Sequence, residues 1–275
     1  MPVPVRTLVR SVVKSVLAIG LVSAQAGCFS AGIIRGDNDP HPGVFRAHNL
    51  PIQGIDVARY QGDIDFNAAR AAGTHFVFIK ATEGGDYVDP MFRANWQRAR
   101  NAGVAPGAYH FMTWCRDADE QADWFVANVP NDPFSLPPVL DLEWNNHSQS
   151  CRTHPDPDTA FEMVQTMLAR MEAHSGKLPI IYTDMTFHKD VLAGRNLPNT
   201  MWLRSVAAEP HLRYRNEPWT FWQYTQTGVM PGIRGEVDRN AFYGSEEEWV
   251  HFILTGCDPR DLPVLGPTGR CASLK

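Results

Sequence analysis

The 275-residue chain lacks features that mark several large classes of protein. Its five cysteines form no C-x-x-C pair, which argues against a structural zinc site, and we expect neither a metal nor another cofactor. No block of basic residues occurs beyond the N-terminus and the formal net charge is -5, so nucleic acid is not an expected partner. What remains is an ordinary globular composition, sufficient for one large domain or two small ones.

The first 27 residues have the character of a targeting segment. Three basic residues give a positive start, and the apolar run over residues 12–22 is too short to span a bilayer comfortably. Ala24-Gln25-Ala26 is a small-x-small site of the type that signal peptidase cleaves. We therefore predict a signal peptide over residues 1–27 and an exported protein. The alternative is an N-terminal anchor helix that stays in place.

Cys28 follows this segment directly, and Ala26-Gly27-Cys28 resembles the end of a bacterial lipoprotein box. Gln25 stands where that box usually has leucine or another apolar residue, so the match is incomplete. A lipid on Cys28 would attach the protein to a membrane, whereas cleavage without a lipid would release it. The expected location is accordingly periplasmic, outer-membrane lipoprotein or secreted.

The other four cysteines are even in number, and an exported chain favours disulfides. Their positions suggest two local pairs, Cys115–Cys151 and Cys257–Cys271. Cys28 is then the odd cysteine, the one that a lipid would take.

Strand and helix patterns alternate along most of the chain. Residues 28–50 carry Gly, Pro, Asn, Asp and His without periodicity and are predicted to form a linker. Residues 51–255 follow with alternating strands and helices, which indicates a parallel sheet, and about eight strands indicate a closed barrel. Residues 256–275 are a short Pro- and Gly-rich tail.

Capping signals locate several helices in this pattern. Asp65 is placed to cap a helix that ends at Gly73, and Ser245 with Glu248 forms a capping box. The longest helical pattern covers Pro157–Ser175, with its apolar residues on one stripe.

One predicted strand, within Pro138–Trp144, carries the two acids around which a site is expected. Strand side chains alternate between faces, so Asp141 and Glu143 share one face, about 6.5–7 Å apart along the strand. Carboxylates that close in an apolar setting cannot both ionise freely, so one pKa rises while the other stays low. Glycoside hydrolysis uses such a pair. The alternative is a strand that merely ends in acids where it meets solvent.

Other polar residues fall at the same edge of the predicted barrel, the C-terminal ends of its strands, where the chemistry of such barrels takes place. Those at or near strand ends are Asp56, Lys80, Glu83, Tyr109, His110, Asp141, Glu143 and Asp238. Gathering several acids costs electrostatic energy, so stability alone is a poor explanation for them.

Six stretches in order resemble a known family. They are Gly54–Val57 with Tyr60-Gln61, Phe78–Gly84, Gly107–Phe111, Leu140–Glu143, Trp222–Thr225 with Gly232-Ile233, and Val237–Phe242. Together they closely resemble the glycoside hydrolase family 25 lysozymes, also called Chalaropsis-type muramidases, over about residues 52–254. The resemblance implies an α/β fold, a single modified TIM-like barrel of about five βα units followed by strands with little helix.

The resemblance also implies cleavage of the β-1,4 bond between N-acetylmuramic acid and N-acetylglucosamine in peptidoglycan. By position, Glu143 would be the general acid, and Asp141 would stabilise the transition state or an oxazolinium-like intermediate. Asp56 and Asp238 would complete the catalytic acids. Substrate-assisted attack by the N-acetyl group and direct attack by a carboxylate both stay open.

Two aromatic residues, Tyr109 and Trp222, would contact sugar on the same resemblance. The expected partner is a peptidoglycan glycan strand, acted on by a monomer. Trp202-Leu203-Arg204-Ser205 departs from the family's usual sequence, and Arg204 is expected to alter one end of the groove.

Two other functions remain to be weighed against a muramidase. One is an inactive barrel that only binds glycan, although the intact set of four acids argues against it. The other is a glycosidase acting on a related chitin-like substrate. Chitinases that use substrate assistance carry D-x-x-D-x-D-x-E, and when that run is aligned on Asp141 and Glu143, Leu136 and Val139 stand at its first two acids.

Overall fold

The computed structural model describes residues 41–260 except 147, 149, 150, 153 and 216. Its strands are β1 Ile52–Val57, β2 Thr74–Glu83, β3 Tyr87–Val88, β4 Ala105–Phe111, β5 Val139–Leu142, β6 Ile180–Thr183, β7 Met201–Arg204, β8 Phe221–Gly228 and β9 Val237–Phe242. The predicted signal peptide, Cys28 and the tail beyond residue 260 lie outside the described residues.

Eight of these strands form a closed barrel in the order β1-β2-β4-β5-β6-β7-β8-β9, with β9 paired back onto β1. Neighbouring strands from β1 to β8 run parallel. The last strand, β9, is antiparallel to both β8 and β1. The short β3 pairs only with the end of β2, as a hairpin at the rim.

The helices of the described residues lie mostly between the strands. They are α1 Phe45–His48, α2 Phe66–Ala71, α3 Phe92–Asn101, α4 Ala118–Asn128, α5 Pro157–Ser175, α6 Met185–Phe187, α7 Pro210–Arg213 and α8 Glu246–Thr255. In this part of the chain no helix has both the length and the apolar character that crossing a bilayer requires.

Helices α2 to α6 follow β1, the β2–β3 hairpin, β4, β5 and β6, which makes five βα units. After β7 only the single turn α7 appears, and β8 leads to β9 with no helix between them. The expected barrel of about five βα units followed by strands with little helix is therefore confirmed.

The longest helix, α5, has the predicted bounds because its end signals are unambiguous. The side chain of Asp156 accepts hydrogen bonds from the backbone N–H groups of Asp158 and Thr159, both at 3.1 Å. Pro157 occupies the first helical position, where its missing N–H costs nothing. Gly176 ends the helix at φ 70°, a left-handed conformation that glycine adopts without strain.

Aromatic side chains fill the inside of the barrel at the end where the parallel strands begin. The largest of these fully buried rings are Phe76, Phe78, Phe221 and Phe242. Trp249 and Phe252 of α8 pack against this cluster and close that end. The polar interior is thereby confined to the opposite end of the barrel.

Residues 42–48, in the stretch predicted as linker, pack against the outside of the barrel. They form a 3₁₀ turn at Pro42–Val44 and then α1. Val44 and Ala47 are buried against Trp222, Tyr224 and neighbouring residues. This segment covers β8 and β9, the strands that have no βα helix.

A disulfide joins Cys115, after β4, to Cys151, after β5, as the cysteine spacing suggested. It ties together the two loops that flank the end of the strand carrying Asp141. Cys257 is also disulfide-bonded, while its predicted partner Cys271 lies outside the described residues.

Candidate active site

A cleft with a volume of about 280 Å³ opens where the parallel strands end. Five of the six predicted site residues line it together: Asp56, Tyr109, Asp141, Glu143 and Asp238. The cleft is close to the lower limit for small-ligand sites, about 300 Å³, and has room for a group of the size of a sugar ring. The described residues contain no group of three or more His, Cys, Asp or Glu side chains arranged as metal ligands.

Strand alternation places the two central acids as the sequence indicated. Leu140 and Leu142 of β5 are fully buried in the outer core under the helices, so Asp141 points into the barrel mouth. Glu143 follows the last residue of β5 directly. Its backbone carbonyl accepts a 2.7 Å hydrogen bond from the indole N–H of Trp114, which fixes the chain at that point.

Burial raises the pKa of Glu143, and the negative charge of Asp184 raises it further. The charge of Arg204 and a hydrogen bond with Tyr182 oppose this rise without cancelling it. Glu143 therefore keeps its proton to higher pH than an exposed glutamate does.

Burial also raises the pKa of Asp141 well above its ordinary value, and repulsion from Glu143 adds to the effect. The positive charge of Lys80 favours its ionised form. Its Oδ1 atom is buried and has no hydrogen-bond partner among the described residues. The described residues therefore leave one acceptor atom of this carboxyl group unsatisfied.

Asp56 and Asp238 form a second pair of acids, directly opposite each other on β1 and β9. Burial, the charge of Asp56 and a hydrogen bond to it raise the pKa of Asp238 to about 9. Burial raises the pKa of Asp56 as well, but hydrogen bonds from Asn240 and Gln223 oppose that rise. The shared proton accordingly resides on Asp238, which donates to the Asp56 carboxylate.

Two buried amides hold the Asp56 carboxylate in place. Its Oδ2 accepts hydrogen bonds from Gln223 Nε2 at 3.0 Å and from Asn240 Nδ2 at 2.8 Å. Each amide is oriented by an aromatic donor: Tyr182 Oη donates to Gln223 Oε1, and Trp202 Nε1 donates to Asn240 Oδ1. Because an indole N–H only donates, the amide of Asn240 must turn its NH₂ towards Asp56.

The predicted sugar contact of Trp222 is wrong. Its indole is fully buried on the outside of β8, packed in the cluster with Val44, Ala47 and Tyr224, and it is absent from the cleft. Its N–H donates to the backbone oxygen of Ser205 at 2.8 Å. Since strand faces alternate, the neighbouring Gln223 is the residue of β8 that enters the cleft.

Four residues in or beside the cleft were not selected from the sequence. Tyr182, Trp202, Gln223 and Asn240 act through the network around Asp56. A signal for Asn240 exists, because it lies two residues after Asp238 on one strand and so shares its face. No such sequence signal identifies Tyr182, Trp202 or Gln223, because the side of the sheet that faces the cleft depends on how the barrel closes.

Asp238→Asn should make folding less sensitive to alkaline pH. With a pKa raised from 3.8 to about 9, folded Asp238 holds a proton that the unfolded chain has released. The contribution of this proton to the free energy of unfolding is complete below about pH 4 and is lost as the pH rises through 9. Asparagine is neutral throughout, so the melting temperature of the variant should increasingly exceed that of the wild type from pH 5 to 9.

Thermal melts at pH 5, 7 and 9 test this, with Glu236→Gln as the control. Glu236 is exposed and stands two residues before Asp238. A constant difference between Asp238→Asn and the wild type across that range would contradict a protonated Asp238.

Known proteins resemble this chain over most of the barrel. Residues 55–233 match the family glycosyl hydrolases family 25. The chain belongs to this family. It is therefore a glycoside hydrolase, as the sequence motifs indicated. Lysozyme M1 of Streptomyces globisporus is 36% identical over 207 residues, which cover 70% of this chain and 68% of the relative.

Solved structures agree with this assignment. A family 25 glycosyl hydrolase from Bacillus anthracis is 35% identical with a TM-score of 0.67, covering 73% of this chain and 93% of its own. A bacterial lysozyme from Streptomyces coelicolor is 33% identical with a TM-score of 0.66, covering 74% of this chain and 97% of its own.

Proposed function

We propose that this family 25 enzyme is an exported muramidase, which hydrolyses the β-1,4 bond between N-acetylmuramic acid and N-acetylglucosamine in peptidoglycan. The observation that carries the proposal is one buried cleft that holds Glu143 with a raised pKa beside Asp141. A protonated acid next to a second carboxyl group is what glycosidic bond cleavage needs. The Streptomyces globisporus relative is itself named a lysozyme.

In this proposal Glu143 is the general acid. Burial raises the pKa of its carboxyl group, which favours the protonated form that donates a proton to the departing glycosidic oxygen. The hydrogen bond from Trp114 to its backbone holds the residue at the cleft, so little reorganisation precedes proton transfer.

Asp141 stabilises the positive charge that develops at the anomeric carbon or on an oxazolinium-like intermediate. The carboxylate of Asp141 lines the cleft, and its oxygens can only accept, so it suits the N–H of the substrate's acetamido group. A hydrogen bond there would orient the acetamido carbonyl for attack on the anomeric carbon. Lys80 favours the ionised form that this role requires.

Asp56 and Asp238 act as a rigid pair beside these two residues. Asp56 is fixed by two amides, and neutral Asp238 adds a donor without adding another negative charge. Tyr109 lines the cleft between both pairs, since its phenol feels the charges of Asp56, Asp141 and Asp238. We assign it to sugar contact.

Export is supported by the signal-peptide pattern of residues 1–27 and by the Cys115–Cys151 disulfide, because such bonds persist in oxidising compartments. We further propose that the enzyme works as a monomer. After export it is either released or attached to a membrane through a lipid on Cys28.

Product analysis tests the proposed activity. Purified protein without residues 1–27 should release muropeptides that end in reducing muramic acid, detected by mass spectrometry after borohydride reduction. Reducing glucosamine ends would identify the other glycosidic bond. Cleavage of chitin oligosaccharides alone would favour the chitin-like alternative. Binding of peptidoglycan without any product would leave a glycan-binding barrel.

A further inference from the structure

Arg204 is a cation in a cleft dominated by acids. It is the last residue of β7, and its side chain lines the cleft with Asp56, Glu143 and Asp238. Its backbone oxygen accepts a 2.6 Å hydrogen bond from Tyr214 Oη, which fixes the end of the strand. The residue is thus anchored at its main chain and free to extend its guanidinium into the cleft.

The guanidinium of Arg204 makes few hydrogen bonds within the protein. Its side-chain hydrogen bond goes to the neutral amide oxygen of Gln226. Within the described ranges, no carboxylate oxygen lies within 4.0 Å of it, although the cleft holds four acids. The other cation of the cleft, Lys80, is by contrast paired with Glu83.

An arginine in this setting is suited to an anion that arrives with the substrate. A guanidinium offers five donors in a planar fork, which match a carboxylate with two parallel hydrogen bonds. Most of these donors are unused in the free protein. A neutral chitin-like strand would give them no charged partner.

We propose that Arg204 binds a carboxylate group of the peptidoglycan strand and so selects anionic strands over neutral ones. This inference rests on the proposed muramidase function and names a determinant of its substrate preference. The carboxylate has two chemical sources. In a strand without peptide it is the free lactyl group of muramic acid, whereas in a peptide-bearing strand it belongs to the stem peptide.

Binding measurements separate these sources from each other and from a purely electrostatic role. Glu143→Gln protein, with and without Arg204→Met, is titrated with peptide-free and with peptide-bearing strands. Each strand is used as such and after its carboxylates are capped as neutral methylamides. Arg59→Met is the control, because Arg59 lies beside the cleft residue Tyr60 and its loss changes the net charge equally.

Arg204→Met should weaken binding of the carboxylate-bearing strand about tenfold, which is the scale of one charge-assisted hydrogen bond near solvent. The same substitution should not change the binding of the capped strand. Arg204→Lys should recover part of the loss, and Arg59→Met should show none of it. A loss on peptide-free strands assigns the lactyl group, and a loss confined to peptide-bearing strands assigns the stem peptide.

An equal loss on native and capped strands, or no loss on either, would overturn the proposal. So would a failure of the Glu143→Gln protein to bind any strand. Turnover by protein with Glu143 intact is recorded on the same strands in parallel. Absence of product with binding retained would defeat the muramidase function, while the capped and uncapped comparison would still decide the role of Arg204.

Discussion

Glu143→Gln should lower kcat on peptidoglycan by roughly 10²–10⁴-fold, the contribution of a positioned general acid. Glutamine keeps the shape of the side chain but has no acidic proton to donate. Burial raises the pKa of Glu143, so the wild type holds this proton to higher pH than an exposed glutamate would. Strand binding should change little, because the proton is transferred only in the transition state.

A substrate with a good leaving group makes this test specific. An aryl glycoside whose phenolate departs without protonation should lose far less activity in Glu143→Gln than peptidoglycan does. Glu236→Gln, an exposed substitution of the same chemistry, serves as the control. Equal losses on both substrates would mean that Glu143 does not act by protonating the leaving group.

Local signals predicted much of the fold. Helix α5 has the predicted bounds because Asp156, Pro157 and Gly176 define its ends within the segment itself. Asp141 at the end of β5 and Glu143 just after it also face the same cleft as predicted, because alternation is a property of the strand and needs no partner.

The errors and omissions of the sequence-based predictions concern contacts between residues that are far apart in the chain. The sugar contact of Trp222 was inferred from the family resemblance alone. Its indole instead packs on the outside of β8, where the segment at residues 42–48 covers it. The amides around Asp56 are equally hidden from sequence analysis. Gln223 and Asn240 are separated from Asp56 by 167 and 184 residues and approach it only when β8, β9 and β1 close the barrel.

Asp184 shows the same limit on a smaller scale. In the sequence, an aspartate at this position indicates only a helix N-cap. Its side chain does accept a 2.8 Å hydrogen bond from the backbone N–H of Phe187. Its charge nevertheless raises the pKa of Glu143, because β5 and β6 are neighbours in the barrel. A structural cap can therefore also adjust the acid of the site, an effect that only the three-dimensional arrangement shows.

Asp141→Asn should reduce kcat by roughly 10²–10³-fold on peptidoglycan and on the aryl glycoside alike, the scale seen when one electrostatic stabiliser of a transition state is removed. Asparagine preserves the shape and removes the negative charge that opposes the developing positive charge. Equal losses on the two substrates would distinguish this residue from Glu143. A loss on peptidoglycan alone would contradict the assigned role.

The thermal stability of the Asp141→Asn variant should not fall together with its activity. Because burial and Glu143 raise the pKa of Asp141, folding disfavours its ionised form, and the stability linked to its proton is lost as the pH rises above the unfolded value. A neutral asparagine avoids that loss, so Asp141→Asn should melt at least as high as the wild type at pH 7. Lower activity together with a higher melting temperature would exclude unfolding as the cause.

The route of catalysis can be read from a second substitution at this position. Asp141→Ala with added azide should form a glycosyl azide if Asp141 were a direct nucleophile, since the small anion would occupy the vacated space and attack the anomeric carbon. We expect no such product. The Asp141 carboxylate in the cleft suits a hydrogen bond from the acetamido N–H, which leaves the substrate's own carbonyl as the attacking atom. An azide adduct would replace this route with direct carboxylate attack, while leaving Glu143 as the acid in both.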